Sequence, residues 1–250
     1  ISHPDFLEGA KPVAPSAVAA PGMVSQLHPR QPHPVPRALE RAELPAVVEA
    51  FHGAALNAQR AGFDGVEIHA GDGYLLDQFL QDGSNRRNDE YGGSIANRAR
   101  LLLEVTEAVV RVWDAGRVGV HLAPRGDAHG MGDADPRALF THVATALGRR
   151  ELAFLCLREA RRPDSLAAGL RKCFGGPLIL NEGLNLDSAR QALQSGECDA
   201  VAFGRLFIAN PDLPARFAAG APLNRWNSET FYGTGLEDRH AGYIDYPTMT

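Results

Sequence analysis

Cysteine is scarce: Cys156, Cys173 and Cys198 are the only three in 250 residues. Their odd number and wide spacing fit neither a disulfide framework nor a zinc site, and make a reducing, cytoplasmic setting the expectation. They read as small core-facing residues. There is no excess of basic charge either. With 25 Lys and Arg against 30 Asp and Glu, the net charge of −5 has the wrong sign for a nucleic-acid surface. No run approaches the ~20 apolar residues of a membrane-spanning helix, so no membrane partner is expected. An initial Met and a basic-then-apolar leader are also missing. The chain begins ISHPDFLEG, and the expectation is the downstream part of a longer protein.

The composition that is present is 44% hydrophobic and 22% charged. That is ordinary for a globular protein, and the length suits one large α/β domain over residues 1–250. Proline is concentrated near the start, with nine of the 17 between Pro4 and Pro45. Residues 4–36 therefore read as a long loop, since proline fixes φ and removes a donor. A loop of that length is usually a lid or a binding segment, or else disordered, and residues 11–37 are its proline-rich body.

A rhythm follows. Leu44, Val47, Val48, Phe51, Ala55, Leu56 and Ala58 recur at helical spacing. GVEIH (65–69) is a short β-rich run. Helices are predicted over Ile95 to Trp113, Pro136 to Leu147 (with Asp135 as cap), Ser165 to Phe174 and Leu186 to Gln194. Strands are predicted at RVGVHL (117–122), LAFLCL (152–157), PLILN (177–181) and AVAFG (200–204), and short helical pieces run on to Gly220. Apolar strands separated by amphipathic helices indicate a parallel sheet covered by helices, either a (β/α)8 barrel or a doubly wound open sheet. Five strands are visible, where a barrel needs eight.

In both architectures the site lies at the carboxyl ends of the strands. Polar residues collect there: His69, Asp72 and Tyr74 after the first strand, and His121, Arg125 and Asp127 at the second. Arg158 and Glu159 follow the third, Asn181 and Glu182 the fourth, Gly204 and Arg205 the fifth. Five such clusters in series indicate an enzyme. AVAFGR leads into a helical stretch, and amides at a helix start together with a guanidinium suit a phosphate. Gly183, in the loop NEGLN (181–185), could share in that cradle. The alternative is that Arg205 pairs with a neighbouring carboxylate. His121, Asp127, His129, Asp133 and Asp135 have metal-ligand chemistry, but the Gly- and Asp-rich run PRGDAHGMGDAD reads better as a loop, so no metal site is expected. His28 and His33 are expected to be exposed.

The stretch GFDGVEIHAGDGYLLDQFLQDGSNRRNDEYGGSIANRARLLLEV (62–105) resembles the central signature of the Old Yellow Enzyme family. The resemblance continues through DAVAFGRLFIANPDLPARF, APLN, ETFYG and GYIDYP, and ISHPDFLEGAKPVAPSAV resembles the segment after the third barrel strand. It implies an FMN-binding (β/α)8 TIM barrel, of which about five βα units are in this chain. It also implies reduction of the C=C bond of enone-type small molecules with NADPH or NADH. By position, His69 is one member of a pair that hydrogen-bonds the substrate carbonyl, polarising the alkene by stabilising a developing enolate. Tyr74 falls where a tyrosine donates the proton, and an ordinary phenol is protonated at neutral pH, as a general acid must be. Tyr232 matches an aromatic on the substrate side. Gly204 and Arg205, with Gly183, match the grip on the FMN phosphate.

Three departures accompany the resemblance. The second member of the carbonyl-binding pair, commonly Asn or His, is Asp72. An ionised carboxylate only accepts hydrogen bonds and would repel an enolate oxygen. Asp72 is therefore protonated, or faces another partner, or meets a donor on the substrate. His121 stands where arginine is common beside flavin N1 and O2, and a histidine serves there only when protonated. The segment carrying the first three strands is absent. Five parallel strands leave two open edges and an exposed core face, so a missing N-terminal segment, a partner chain or a second copy is expected to complete the barrel. The alternatives to an ene-reductase are a flavin-poor pseudoenzyme or non-redox enzyme on the same fold, and a subunit that completes a barrel with another chain.

Overall fold

The computed structural model describes residues 2–126, 128–231 and 240–249. The proline-rich segment holds four two-residue strands, β1 (Val13–Ala14), β2 (Met23–Val24), β3 (Gln31–Pro32) and β4 (Arg37–Ala38), followed by helix α1 (Leu44–Arg60). Then come β5 (Val66–Ala70), α2 (Leu75–Leu80), α3 (Ile95–Trp113), β6 (Val118–Leu122), α4 (Pro136–Gly148) and β7 (Phe154–Arg158). The chain continues through α5 (Ala167–Phe174), β8 (Leu178–Asn181), α6 (Leu186–Gln194), β9 (Ala200–Ala202), α7 (Arg205–Ala209) and α8 (Leu213–Ala219).

β5 to β9 form one parallel sheet in sequential order. This is the succession of βα units that winds a barrel. The helix starts are fixed by short polar side chains that satisfy otherwise unpaired amides. Ser94 accepts from the Asn97 amide, Asp135 from Ala138 at 2.9 Å, and Asn185 with Ser188 forms a reciprocal box at the start of α6. Alternate strand residues, including Val118, Val120, Leu122, Leu155, Leu157, Leu178 and Leu180, are buried against the helices. They pack with Leu101, Leu102, Val105 and Val109 of α3 and with Leu139, Phe140 and Val143 of α4. The Trp113 indole donates to the Ala55 carbonyl at 3.0 Å and pins α3 to α1.

The opposite face of the sheet positions the site. In register, His69 lies beside His121, His121 beside Cys156, and Arg158 beside Asn181 one step further along. This face was expected to be an exposed apolar core surface. It is instead mixed, with Glu67, His69, His121, Arg158 and Asn181 sharing it with Phe154, Cys156 and Ile179. The open edges are as expected: among the described residues β5 pairs only with β6, and β9 only with β8.

Two local expectations need correction. The strand at 152–157 begins at Phe154, because the Ala153 amide turns aside to the carbonyls of Ala115 and Val118. The segment 4–36 is not irregular throughout. β1 pairs with β4 and β2 with β3, and the pairs are fastened from outside. Arg87 donates to the carbonyls of Pro15 (3.1 Å) and Leu39, and the Arg86 amide donates to Ser16 Oγ at 2.8 Å. The long motif at 82–98 thus has a structural task. Its buried Asn85 donates to the carbonyls of Phe79 and Tyr91, and its buried Arg98 to those of Leu80 and Gly93.

Candidate active site

The turn after β5 carries three of the expected site residues. VEIHA ends at Ala70, and Asp72 (φ 60) and Gly73 (φ 74) both adopt left-handed backbone to reverse the chain before α2. The turn is held from below by Asp77, which is fully buried. Its Oδ2 accepts the Gly73 amide at 2.9 Å and its Oδ1 the Gln81 amide group at 2.7 Å. Burial drives the Asp77 carboxyl up to about 6, against the opposing pull of the Gln81 and Gly73 hydrogen bonds. The reward is a fixed turn that leaves Tyr74 half-exposed, with its ring centroid 5.2 Å from that of His69.

The two histidines of the pocket differ in charge. His69 and His121 meet edge to face at 5.1 Å. Burial, and then the neighbouring His121 charge, lower the His69 pKa, so His69 is neutral at neutral pH. Burial also opposes a charge on His121, but Cys156 and Glu67 outweigh it and raise its pKa to about 10. Its Nδ1 lies 3.5 Å from Glu67 Oε1, while its Nε2 is buried with no hydrogen-bond partner among the described residues. The shift favours the protonated form of His121. Glu67, His121 and Cys156 have donor atoms within 4.8 Å of one another, the one grouping among the described residues with metal-ligand geometry. The ion pair already accounts for it. The His/Asp-rich run is dispersed as a loop: Asp133 pairs with Arg98, Asp135 caps α4, and His129 Nδ1 meets the Asp72 carbonyl at 2.9 Å. Asp127 and Tyr232 lie outside the described residues.

Asp72 faces another partner. Its Oδ1 forms a close ion pair with Arg158 Nη1, and its Oδ2 lies 3.9 Å from His69 Nε2. Arg158 Nε also donates to Glu182 Oε2 at 2.6 Å. Three strand-end loops are thereby tied through one guanidinium. Glu159 and Asn181, the other polar residues of these strand ends, serve structure. Glu159 accepts the amides of Leu166 and Ala167 at the start of α5, and Asn181 donates to the Ala202 carbonyl at 2.9 Å.

The phosphate-type cradle is open. Gly183 has φ 65, and a Cβ built there or at Gly204 meets nothing within 4 Å. Arg205, at the start of α7, has no carboxylate partner among the described residues. Its guanidinium lies over Trp226 at 5.7 Å. Above Tyr74, a cleft of about 610 Å³ runs under the proline-rich segment, lined by Phe6, Pro12, Met23, His33, Tyr74 and His129. His28 is exposed as expected, but His33 is half-buried, its ring against His129 at 5.8 Å. His129, Asp77 and the Arg158 link were missed in the sequence. The signal for Asp77 was an acid inside the apolar run LLDQFL. The other two contacts depend on loops far apart in the chain.

The comparisons agree with this fold. Residues 5–224 match the NADH:flavin oxidoreductase / NADH oxidase family. A probable flavin mononucleotide-dependent alkene reductase of Leishmania infantum is 44% identical over 253 residues, covering 97% of this chain and 67% of that protein. The 12-oxophytodienoate reductase 1 of Oryza sativa subsp. japonica is 44% identical over 225 residues, covering 86% of this chain and 58% of that protein. Among solved structures, morphinone reductase in complex with tetrahydroNAD superposes with TM-score 0.89 at 45% identity, covering 97% of this chain and 68% of that one. The old yellow enzyme homologue from Zymomonas mobilis gives 0.91 at 42%, covering 98% and 70%. The chain thus spans roughly three-fifths to two-thirds of the length of such relatives, and its succession of parallel βα units is part of their TIM barrel. With the family model matching nearly nine-tenths of its length, it belongs to the NADH:flavin oxidoreductase / NADH oxidase family, the family of Old Yellow Enzyme.

Proposed function

We propose that the protein reduces the activated C=C bond of enone-type small molecules, using FMN and NADPH or NADH. The observation that carries this reading is the His69–Tyr74 pair at the end of β5: a neutral imidazole and a half-exposed phenol whose rings are 5.2 Å apart, with the phenol lining the cleft. His69 can hydrogen-bond a carbonyl oxygen, and Tyr74 can deliver a proton to the carbon next to it. FMN, when bound, supplies the hydride chemistry. The open cradle fits its phosphate, with the amides at Gly183 and Gly204 and the unpaired Arg205 as the holding groups. His121, held protonated by Glu67 and Cys156, supplies a positive charge at the barrel mouth. Tyr232 completes the substrate side in this reading. The proline-rich segment 11–37 roofs the cleft and so governs which alkenes enter.

The single-sided pairing of β5 and β9 supports a further part of the proposal. Additional strands, from the same protein or a partner, close the barrel, since unpaired parallel edges invite association. The test is oxidation of NADPH or NADH by the FMN-loaded full protein, with and without 2-cyclohexenone. Enone-dependent oxidation is expected, and Tyr74→Phe should slow oxidation of the reduced protein by the enone while leaving its reduction by NAD(P)H intact. A yellow protein that reacts with the nicotinamide but transfers nothing to any enone or nitroalkene would overturn the reading. A folded protein that takes up no FMN would favour the flavin-poor alternative.

A further inference from the structure

The carbonyl-binding pair of this site is short of one donor. His69 offers one N–H, but Asp72 offers acceptors where the pair needs a second donor. The structure places a donor next to that gap. Arg158 leaves the end of β7 on the face that carries His121 and Cys156, one side-chain pair further toward the mouth. Asp72 bridges it to His69: one carboxylate oxygen is on Arg158 Nη1 and the other is 3.9 Å from His69 Nε2. The guanidinium is held on a second side by Glu182, at 2.6 Å from Nε. Its third nitrogen, Nη2, has no acceptor among the described residues, and about a third of the side chain stays exposed.

The backbone carries an independent sign that this arrangement matters. Asp72 has φ 60 and Glu182 has φ 102, a region that side-chain-bearing residues rarely occupy. The two acids that grip Arg158 are therefore both on strained residues, at the ends of two different strands. Strain of this kind persists where surrounding structure enforces it, and it clusters at functional sites. A guanidinium gripped by two carboxylates is fixed in orientation, always charged and able only to donate.

We propose that Arg158 is the second oxygen-binding donor of the site. Asp72 and Glu182 orient it, and its free N–H groups join His69 on the oxygen of the group that activates the alkene. The inference rests on the ene-reductase reading and deepens it. Asp72 becomes a positioning residue, and the oxygen that gains negative charge meets a cation. Charge-assisted hydrogen bonds are stronger than the neutral amide bond they replace here. Ketones, aldehydes and nitro groups, whose oxygens become anionic as the alkene is reduced, are the activating groups this serves.

The test must separate donation by Arg158 from mere neutralisation of Asp72. In an Asp72→Asn background the carboxylate is gone and neutralisation has no meaning. We therefore compare Asp72→Asn with Asp72→Asn/Arg158→Gln in the FMN-loaded full protein, with melting curves confirming that both fold. The double variant should be at least 10-fold slower in oxidation of the reduced protein by 2-cyclohexenone, with its reduction by NADPH or NADH unchanged. Its affinity for cyclohexanone, a ketone with the same oxygen and no reducible bond, should fall at least 10-fold by calorimetry. Equal ketone affinity in the two variants overturns the inference. So does loss of both half-reactions by the same factor. Arg158-dependent ketone binding in a protein that never passes electrons to an enone would keep the oxygen site and sink the redox reading.

Discussion

Asp77 provides a test in which the sign is fixed by burial. It is fully buried under the Tyr74 turn, and burial raises its carboxyl from the ordinary 3.8 to about 6. The folded state therefore binds this proton more tightly than the unfolded state does. A group with a raised folded pKa contributes its stability below the unfolded value and loses it as pH rises through the folded one. At pH 7 the carboxylate is ionised and the protein carries the burial cost. Between pH 7 and pH 4 that cost is relieved, by roughly 2–3 kcal/mol at 1.36 kcal/mol per pH-scale decade. Asp77→Asn has no proton to gain and should show none of this relief. The assay is urea denaturation of wild type and variant at several pH values, followed by circular dichroism. All other titrating groups cancel in the difference between the two proteins. Wild type should gain on the variant by roughly 2–3 kcal/mol as pH falls. A difference flat to within about 0.5 kcal/mol, or one that grows in the variant's favour, would mean that burial does not outweigh the Gly73 and Gln81 hydrogen bonds at Asp77.

Other expectations follow from the same contacts. Asp133→Ala leaves the buried Arg98 guanidinium without its carboxylate at 2.8 Å, a loss of about 3–5 kcal/mol in chemical denaturation; a loss under about 1 kcal/mol would show the pair to be solvated. Arg205→Ala should weaken FMN binding at least 10-fold in a fluorescence titration while leaving the melting temperature of the FMN-free protein in place. Unchanged affinity would remove Arg205 from the cradle. Arg87→Met frees the carbonyls of Pro15 and Leu39 and should speed proteolysis within residues 11–37 without faster amide exchange in α3. Equal cleavage rates would show that the segment is held some other way.

The helices and strands were legible because their signals are local. The bounds of α3 and α6 follow from periodicity and caps that lie within each segment. The register of the five strands follows from their parallel order, and the placing of polar residues at strand ends follows from the architecture. What was not legible is the identity of partners across loops. Arg158 and Asp72 are 86 residues apart, and nothing near either in the chain marks the other. The short pairs β1 with β4 and β2 with β3 escaped for the same reason. Their residues carry no strand signal, and they are held by Arg86 and Arg87 from a distant segment. The same contacts explain why the motif at 82–98 is so specific while touching no reacting group. Asn85, Arg87 and Arg98 each satisfy two or more backbone carbonyls, a task that a residue of another shape or donor count would fail.

The carboxylate at position 72 shows how a departure from a family pattern should be weighed. Taken alone, Asp72 removes a donor and adds a repelling charge beside the place where an enolate oxygen forms. Taken with Arg158, the same charge becomes the anchor of a cation, and the pair is neutral. Glu182 enters on the same terms, since a lone acid there would add a second negative charge to the mouth. The three groups carry one positive and two negative charges. Each substitution is unfavourable by itself and acceptable in company, which is the behaviour expected of residues that share one guanidinium. It follows that restoring asparagine at position 72 without touching Arg158 should not simply improve the site. It frees Arg158 on one side and sets a new amide against a cation that already donates. An Asp72→Asn variant that outperforms the wild type 10-fold or more in enone reduction would show that the ion pair hinders the chemistry.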